Sequence, residues 1–151
     1  MSAVLLGVLV VSFLQAQTAT QPALGDKRNV LRAEAAITTL PAADVLKTPA
    51  ATEIEHDSEV ARTEMVTVVV TIQGCQADAA AACQATADVV AHKPDGTVHS
   101  EMKNIALTHG RGTATLKLAP TDVTGVYKVE ATVRDPIARR VAKAERLFGV
   151  K

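Results

Sequence analysis

The sequence is poor in aromatic residues: it has no tryptophan, one tyrosine and two phenylalanines, which together make up 2% of its 151 positions. Its core must therefore be built from Val, Ile, Leu and Ala, whose side chains bury less apolar area than aromatic ones. A fold with such a small aliphatic core needs additional stabilisation. The aromatic platforms on which glycosidases hold sugars are missing too, which argues against carbohydrate cleavage.

An excess of charge of one sign is also lacking, because 16 Lys and Arg residues balance 16 Asp and Glu residues. Nucleic-acid-binding proteins usually carry a basic surplus that neutralises phosphates. We therefore expect no nucleic-acid partner. Attachment to an anionic membrane surface is disfavoured for the same reason.

No recognisable catalytic arrangement is present in the sequence. Nucleophilic catalysis needs a Ser or Cys beside a His and an acidic residue that orients it. Ser100 follows His99 directly, but neighbouring residues of a strand point to opposite faces of the sheet. Ser58 lies near His56 and Asp57, without the strand–turn–helix motif that exposes a nucleophile. We expect no enzymatic activity and no cofactor.

The first 16 residues carry no charged side chain and include an apolar run from Ala3 to Leu14. A run of about twelve residues is too short to span a bilayer but is typical of the apolar region of a signal peptide. Small residues at Ala16 and Ala19 offer cleavage positions, so residues 1–16 are predicted to be a signal peptide, with cleavage as late as residue 19. No Lys or Arg precedes the run, which leaves a buried N-terminal strand or helix as the alternative.

A signal peptide predicts a periplasmic or secreted protein, with no transmembrane segment after cleavage. In an oxidising compartment, the only two cysteines, Cys75 and Cys83, are expected to form a disulfide. Closing so small a loop contributes about 2–3 kcal/mol of stability. The spacing fits neither a redox motif nor a zinc site, and a reduced structural pair is the alternative.

The sequence divides into two parts after the signal peptide. Residues 17–52 are predicted to be a tether with a short irregular or helical segment, in which Pro41–Lys47 forms one helical turn. The stretch from Asn29 to Leu40 fits either an edge strand or a short helix. Residues 53–151 are predicted to form the folded domain.

Alternation of apolar and polar residues predicts six or seven short strands in this domain, separated by turns. From Met65 to Gln73, Val66, Val68, Val70 and Ile72 are expected on one face of the strand and Thr67, Val69 and Thr71 on the other. The segment Val126 to Arg134 alternates in the same way. The predicted fold class is all-β, an antiparallel β-sandwich of immunoglobulin-like type.

The segment from Asp122 to Tyr127, with Gly125 between them, resembles the tyrosine corner of immunoglobulin-like domains. The Tyr127 hydroxyl is then expected to donate a hydrogen bond to the backbone of residues 120–122. An exposed, ligand-contacting tyrosine is the alternative.

A wider pattern of residues extends through the domain: Gly74-Cys75, Cys83, Asp88, Pro94-Asp95-Gly96, Gly125, Tyr127, Val129, Val133 and Asp135. It resembles small secreted proteobacterial proteins of uncharacterised function, each with a single immunoglobulin-like β-sandwich domain. The resemblance covers about residues 66–150; it implies the fold and carries no activity with it.

The turn at Asp95-Gly96 predicts a hairpin whose two strands each carry a histidine. A two-residue turn places these residues opposite each other: His92 and His99, Val90 and Glu101, Asp88 and Lys103. His92, His99 and Glu101 then share one face, where two imidazoles and a carboxylate are suitable ligands for Zn or Cu. The alternative is a solvated polar face with an Asp–Lys pair.

The leading functional hypothesis is an exported, non-enzymatic binding or structural module that contacts another protein or an envelope component through sheet edges or loops. The alternative is a periplasmic Zn- or Cu-binding protein that uses His92, His99 and Glu101.

Overall fold

The computed structural model describes residues 30–151; the predicted signal peptide and the beginning of the tether lie outside the described residues. Among residues 30–151, no helix is long and apolar enough to cross a membrane. The elements in chain order are β1 (Arg32–Thr38), α1 (Ala42–Lys47), β2 (Glu59–Val60), β3 (Met65–Gln73), β4 (Thr86–His92), β5 (Val98–Ala106), β6 (Arg111–Lys117), β7 (Gly125–Asp135) and β8 (Arg140–Val150).

The strands form two sheets, which confirms the all-β prediction. One sheet has three strands in the order β1-β3-β6, and the other has five in the order β2-β8-β7-β4-β5. Neighbouring strands pair antiparallel, apart from the two-residue strand β2, which runs parallel to β8. The long strands are rich in β-branched residues, which fit a pleated and half-buried surface.

The core between the sheets is aliphatic, as the composition requires. Two aromatic side chains, Tyr127 and Phe148, lie within it with ring centroids 5.7 Å apart. The alternation predicted for β3 and β7 is confirmed on the inner face, where the buried residues are Val66, Val68, Val70 and Ile72 of β3 and Tyr127, Val129, Ala131 and Val133 of β7. Full burial of a Val or Leu side chain stabilises the fold by roughly 1.5–3 kcal/mol.

The predicted start of the domain at residue 53 is too late. Strand β1 pairs with β3 over its whole length, from Arg32 opposite Gln73 to Thr38 opposite Thr67. The stretch that fitted either a strand or a helix is therefore an edge strand of the smaller sheet. The helical turn predicted after Pro41 is present as α1.

Residues 40–57, which the sequence placed mainly in the tether, cross the outer face of the smaller sheet; we call them the strap. Val45 and Ile54 of the strap bury Val69 of β3 and form a second, smaller core. Val69 lies on the face of β3 opposite the main core, as the alternation predicts, and it is nevertheless only 2% exposed. The strap covers it, and this contact between distant parts of the chain leaves no local signal in β3.

The side chain of Arg111 holds the strap in place. It is 4% exposed, and its two terminal nitrogens donate hydrogen bonds of 2.7–3.2 Å to strap carbonyl oxygens. Hydrogen bonds with a charged donor are stronger than neutral ones, so four of them fix the path of the strap. The four acceptors are the carbonyl oxygens of Thr48, Pro49, Ala50 and Thr52.

The predicted disulfide between Cys75 and Cys83 is confirmed, with Cα atoms 5.9 Å apart. Within the loop that it closes, the Asp78 carboxylate accepts hydrogen bonds from the N–H groups of Ala80 and Ala82 at 2.8 and 3.0 Å. The loop is therefore stabilised by backbone hydrogen bonds as well as by the covalent link.

Asp135 attaches this loop to the turn between β7 and β8. Its buried carboxylate accepts hydrogen bonds from the N–H groups of Gln76 and Ile137 and from the Arg140 guanidinium. Arg140 also donates to the carbonyl oxygen of Gly74 at 2.7 Å. One buried carboxylate thus joins two loops that are distant in the sequence.

Replacing Gly74 by alanine should destabilise the protein more than the same change at Gly96. Both glycines have positive φ, +76° and +85°, which costs an alanine about 1 kcal/mol. A Cβ atom at position 74 would overlap the Val30 carbonyl oxygen, whereas no atom lies within 4 Å of one at position 96. Urea denaturation should show an additional loss of about 1–3 kcal/mol for Gly74→Ala. Equal losses for the two variants would contradict the close approach.

Arg111→Met should release the strap while the sheets stay folded. The expected result is faster hydrogen exchange at the strap amides of Thr48 and Asp57 and a loss of about 1.5–3 kcal/mol in the free energy of unfolding. Arg62→Met is the matched control, because the exposed Arg62 also donates to a carbonyl oxygen, that of Pro120. Unchanged exchange in the strap of Arg111→Met would show that Arg111 does not hold it.

Candidate functional site

The β4–β5 hairpin carries the two histidines of the predicted site, but its register differs from the predicted one. The Lys93 N–H donates to the Thr97 carbonyl at 2.8 Å, so the turn contains three residues instead of two. His92 consequently lies opposite Val98. The register shifts between His92 and the preceding residue, which leaves His99 in a β-bulge without a partner on β4.

His99 therefore leaves the outer face and joins the residues around Tyr127. Its Nε2 lies 3.0 Å from the Asp122 carboxylate, and its ring packs edge-on against Tyr127 with centroids 5.9 Å apart. The Tyr127 hydroxyl donates to the carbonyl oxygen of Val123 at 3.0 Å. The acceptor lies one residue beyond the predicted stretch.

Asp122 fixes the chain just before β7. Its carboxylate accepts a hydrogen bond of 2.7 Å from the Ala119 N–H and lies 3.8 Å from the Lys93 ammonium. Gly125, the third residue of the motif, has a φ of +133° and lies against Pro94, where a Cβ atom would be 2.9 Å from the proline ring. The motif residues thus hold the start of β7 against the β4–β5 turn.

His92 and Glu101 stay on the outer face but have separate partners. The His92 Nε2 lies 2.7 Å from Glu130 of β7, and Glu101 pairs with Lys103 at 3.2 Å. The structure therefore does not bring His92, His99 and Glu101 together. In residues 30–151, no three His, Cys, Asp or Glu side chains are arranged to hold a metal ion.

Asp88 does not pair with Lys103 as predicted. A second register shift in β4 brings the Asn104 N–H within 2.9 Å of the Asp88 carboxylate. The other carboxylate oxygen accepts from Arg134 of β7. The outer face is therefore a polar surface with many local ion pairs, close to the alternative that the sequence analysis left open.

Hydrogen bonds shift the pKa values of Asp122 and Asp135, and burial shifts that of Tyr127. The bond from the Ala119 N–H, followed by that from His99, holds the pKa of Asp122 below its usual value although burial opposes it. Burial raises the pKa of Asp135, but its backbone donors and Arg140 outweigh burial and lower the pKa overall. Burial, assisted by the negative charge of Asp122, raises the pKa of the Tyr127 hydroxyl.

Sheet edges are the other surfaces from which the sequence analysis predicts binding. Strand β1 lies beside β8, α1 and the strap lie beside β6, and β2 has only two residues. Strand β5 has nine residues and pairs with β4 alone, and only its last residues, Ile105 and Ala106, also lie against Gly112 of β6. Its side chains are half-buried or exposed throughout, and Val98 is 57% exposed.

The sequence analysis missed two cavities beside the strap, and Arg111 contributes to the walls of both. One cavity lies over β1 and β3, and the other lies between α1 and the β5–β6 turn. The only local signal for Arg111 is its position between Gly110 and Gly112, which is also typical of an exposed corner. Ser100, considered above as a nucleophile, has a buried hydroxyl with no hydrogen-bond partner in the described part of the chain.

Asp135→Asn should make the free energy of unfolding less dependent on pH in the acidic range. Since the folded-state pKa of Asp135 is lowered, its stabilisation is present above the unfolded value of about 3.9 and is lost as the pH falls through the folded pKa. The variant should lose about 1.5–3 kcal/mol at pH 7 and approach the wild type towards pH 2 in urea denaturation. Val133→Ala is the control, because it removes buried methyl groups and no charge. An Asp135→Asn curve parallel to the wild type would contradict this assignment.

The chain matches no protein-family model and no curated protein. Among solved structures it is similar to a superoxide reductase (neelaredoxin) from Ignicoccus hospitalis, with a TM-score of 0.43, 15% sequence identity and coverage of 66% of this chain and 79% of that one. A variant of the same reductase gives a TM-score of 0.43, 16% identity and coverage of 71% and 86%. Similarity at this level carries no argument about activity.

Proposed function

We propose that this chain is an exported, non-enzymatic binding module that pairs the free edge of β5 with an extended segment of another protein or envelope component. The observation that carries the proposal is the one-sided pairing of β5, a strand of nine residues at the end of the larger sheet. An unpaired strand edge presents backbone donors and acceptors that an added strand satisfies.

An immunoglobulin-like fold is part of this proposal. The strand order β1-β3-β6 facing β8-β7-β4-β5 corresponds to strands A-B-E facing G-F-C-C′ of that class. The hydrogen bond from Tyr127 to Val123 at the start of β7 fits the position of the tyrosine corner in strand F. The connection from β5 to β6, residues 107–110, has no room for a strand D, and the strap lies beside β6 instead.

Export is supported by two features. A disulfide such as that between Cys75 and Cys83 is typical of proteins in an oxidising compartment. The uncharged apolar run at the beginning of the chain fits a signal peptide. A mature N-terminus between residues 17 and 20 in protein purified from the periplasm or medium would support export, and retention of the first residues in the cytoplasm would contradict it.

Strand β5 can pair with a segment of a partner, but the β5 strands of two copies of this protein are hindered from pairing with each other. Its two β-bulges and the charges of Glu101 and Lys103 hinder continuous pairing between two copies. The stretch between the bulges, Ser100 to Met102, pairs regularly with β4. A partner segment of a few residues therefore has a regular edge to pair with.

Site-specific photo-crosslinking in the source organism tests this function. The photoreactive residue p-benzoylphenylalanine replaces Val98 on β5 or, as the matched control, Val141 on β8; the two valines are 57% and 60% exposed. We expect one discrete crosslinked partner from position 98 and none from position 141. Equal crosslinking at both positions, or none at position 98, would contradict recognition through β5.

A further inference from the structure

We propose that the cleft between α1 and the β5–β6 turn binds a small amphipathic anion of the class of a medium-chain monocarboxylate. The cleft has a volume of about 470 Å³ and is lined by residues of the strap and of the segment 105–113. Pockets of this size accommodate small organic ligands, which are held by apolar walls and a few polar groups. The inference does not depend on strand pairing at β5.

One wall of the cleft is apolar and lies partly open to solvent. Leu46 of α1 is 51% exposed, while Val45 beside it is completely buried against the sheet. Pro49 of the strap and the half-buried Ile105 of β5 continue this wall. A hydrocarbon chain lying against these three side chains would remove their apolar surface from water.

Arg111, which lines the cleft, carries a positive charge. Its four hydrogen bonds all end on neutral carbonyl oxygens, its Nε atom is buried without a partner, and it forms no salt bridge with any carboxylate of residues 30–151. A buried charge without a counter-charge is costly, because it has lost most of its hydration. An anion in the adjacent cleft would compensate this charge.

The remaining polar groups of the cleft also favour an anion. Lys47 and His109 line it together with Thr108 and Thr113, and no acidic residue lines it. Asp44, the ion-pair partner of Lys47 at 3.5 Å, lies outside the cleft wall, and both side chains of the pair are largely exposed. The net charge of the lining residues is therefore positive.

The cavity on the other side of Arg111 has the opposite character. It is of similar size, about 510 Å³, but three carboxylates, Glu34, Glu53 and Glu145, contribute to its wall and outnumber the two arginines, Arg111 and Arg146. Carboxylates in the wall repel an anion, so the two neighbouring cavities differ in the ligand charge that they favour. This difference assigns the anion to the cleft beside α1.

Titration of the ¹⁵N-labelled protein with octanoate tests the proposal, with the uncharged octanamide as the comparison. Octanoate should shift the amide signals of Leu46, Ile105 and Thr108 and bind at least about tenfold more tightly than octanamide. Equal affinities would show that charge is not recognised. Shifts confined to other residues, or no binding of octanoate, would overturn the site.

Variants of the exposed basic residues separate the cleft from general attraction to positive charge. Lys47→Gln and His109→Asn should each weaken octanoate binding several-fold and leave octanamide binding unchanged; asparagine suits position 109 because its φ is +53°. Lys103→Gln on β5 is the matched control, since it removes an exposed lysine that does not line the cleft. If Lys103→Gln weakened octanoate binding equally, the effect would depend only on the net charge of the protein, and the proposal would be overturned.

Discussion

The hydrogen bonds between the Arg111 guanidinium and the strap determine which surfaces of the molecule remain open. They hold residues 40–57 against the outer face of the smaller sheet, where Val45 and Ile54 bury Val69. The same segment lies beside the edge of β6 and forms the wall of the cleft at α1. With β1 beside β8 as well, β5 is left as the long strand that is hydrogen-bonded on one side only, and its other side is open from Val98 onward until its end beside β6. The proposed partner edge and the proposed ligand cleft both follow from where the strap is fixed.

Carboxylates that accept hydrogen bonds from backbone N–H groups provide the additional stabilisation that a small aliphatic core requires. Asp78 stabilises the disulfide loop, Asp122 the approach to β7, and Asp135 the junction of two loops. Each carboxylate satisfies donors that have no partner within a strand, at positions where the apolar core does not reach. The disulfide adds a covalent link at one of these places.

Local patterns were sufficient to predict the features that depend on neighbouring residues. Alternation along β3 and β7 identified the inner face, and the two cysteines predicted the disulfide correctly. The predicted hairpin register was wrong at His92 and His99, because the turn contains one additional residue. The bulge at His99 compensates for this residue, so that Val90 and Glu101 lie opposite each other as predicted. The strap was missed for a different reason: its contacts with Val69 and Arg111 join distant segments, and neither partner carries a local pattern that marks the contact.

Nuclear Overhauser effects between side-chain methyl groups test the arrangement of the strap most directly. The account predicts cross-peaks from the methyl groups of Val69 to those of Val45 and Ile54, which pack together in the second core. Random-coil chemical shifts for residues 40–57, without cross-peaks to Val69, would contradict it. In that case the edge of β6 would be open as well as that of β5, and the cleft would not exist as described.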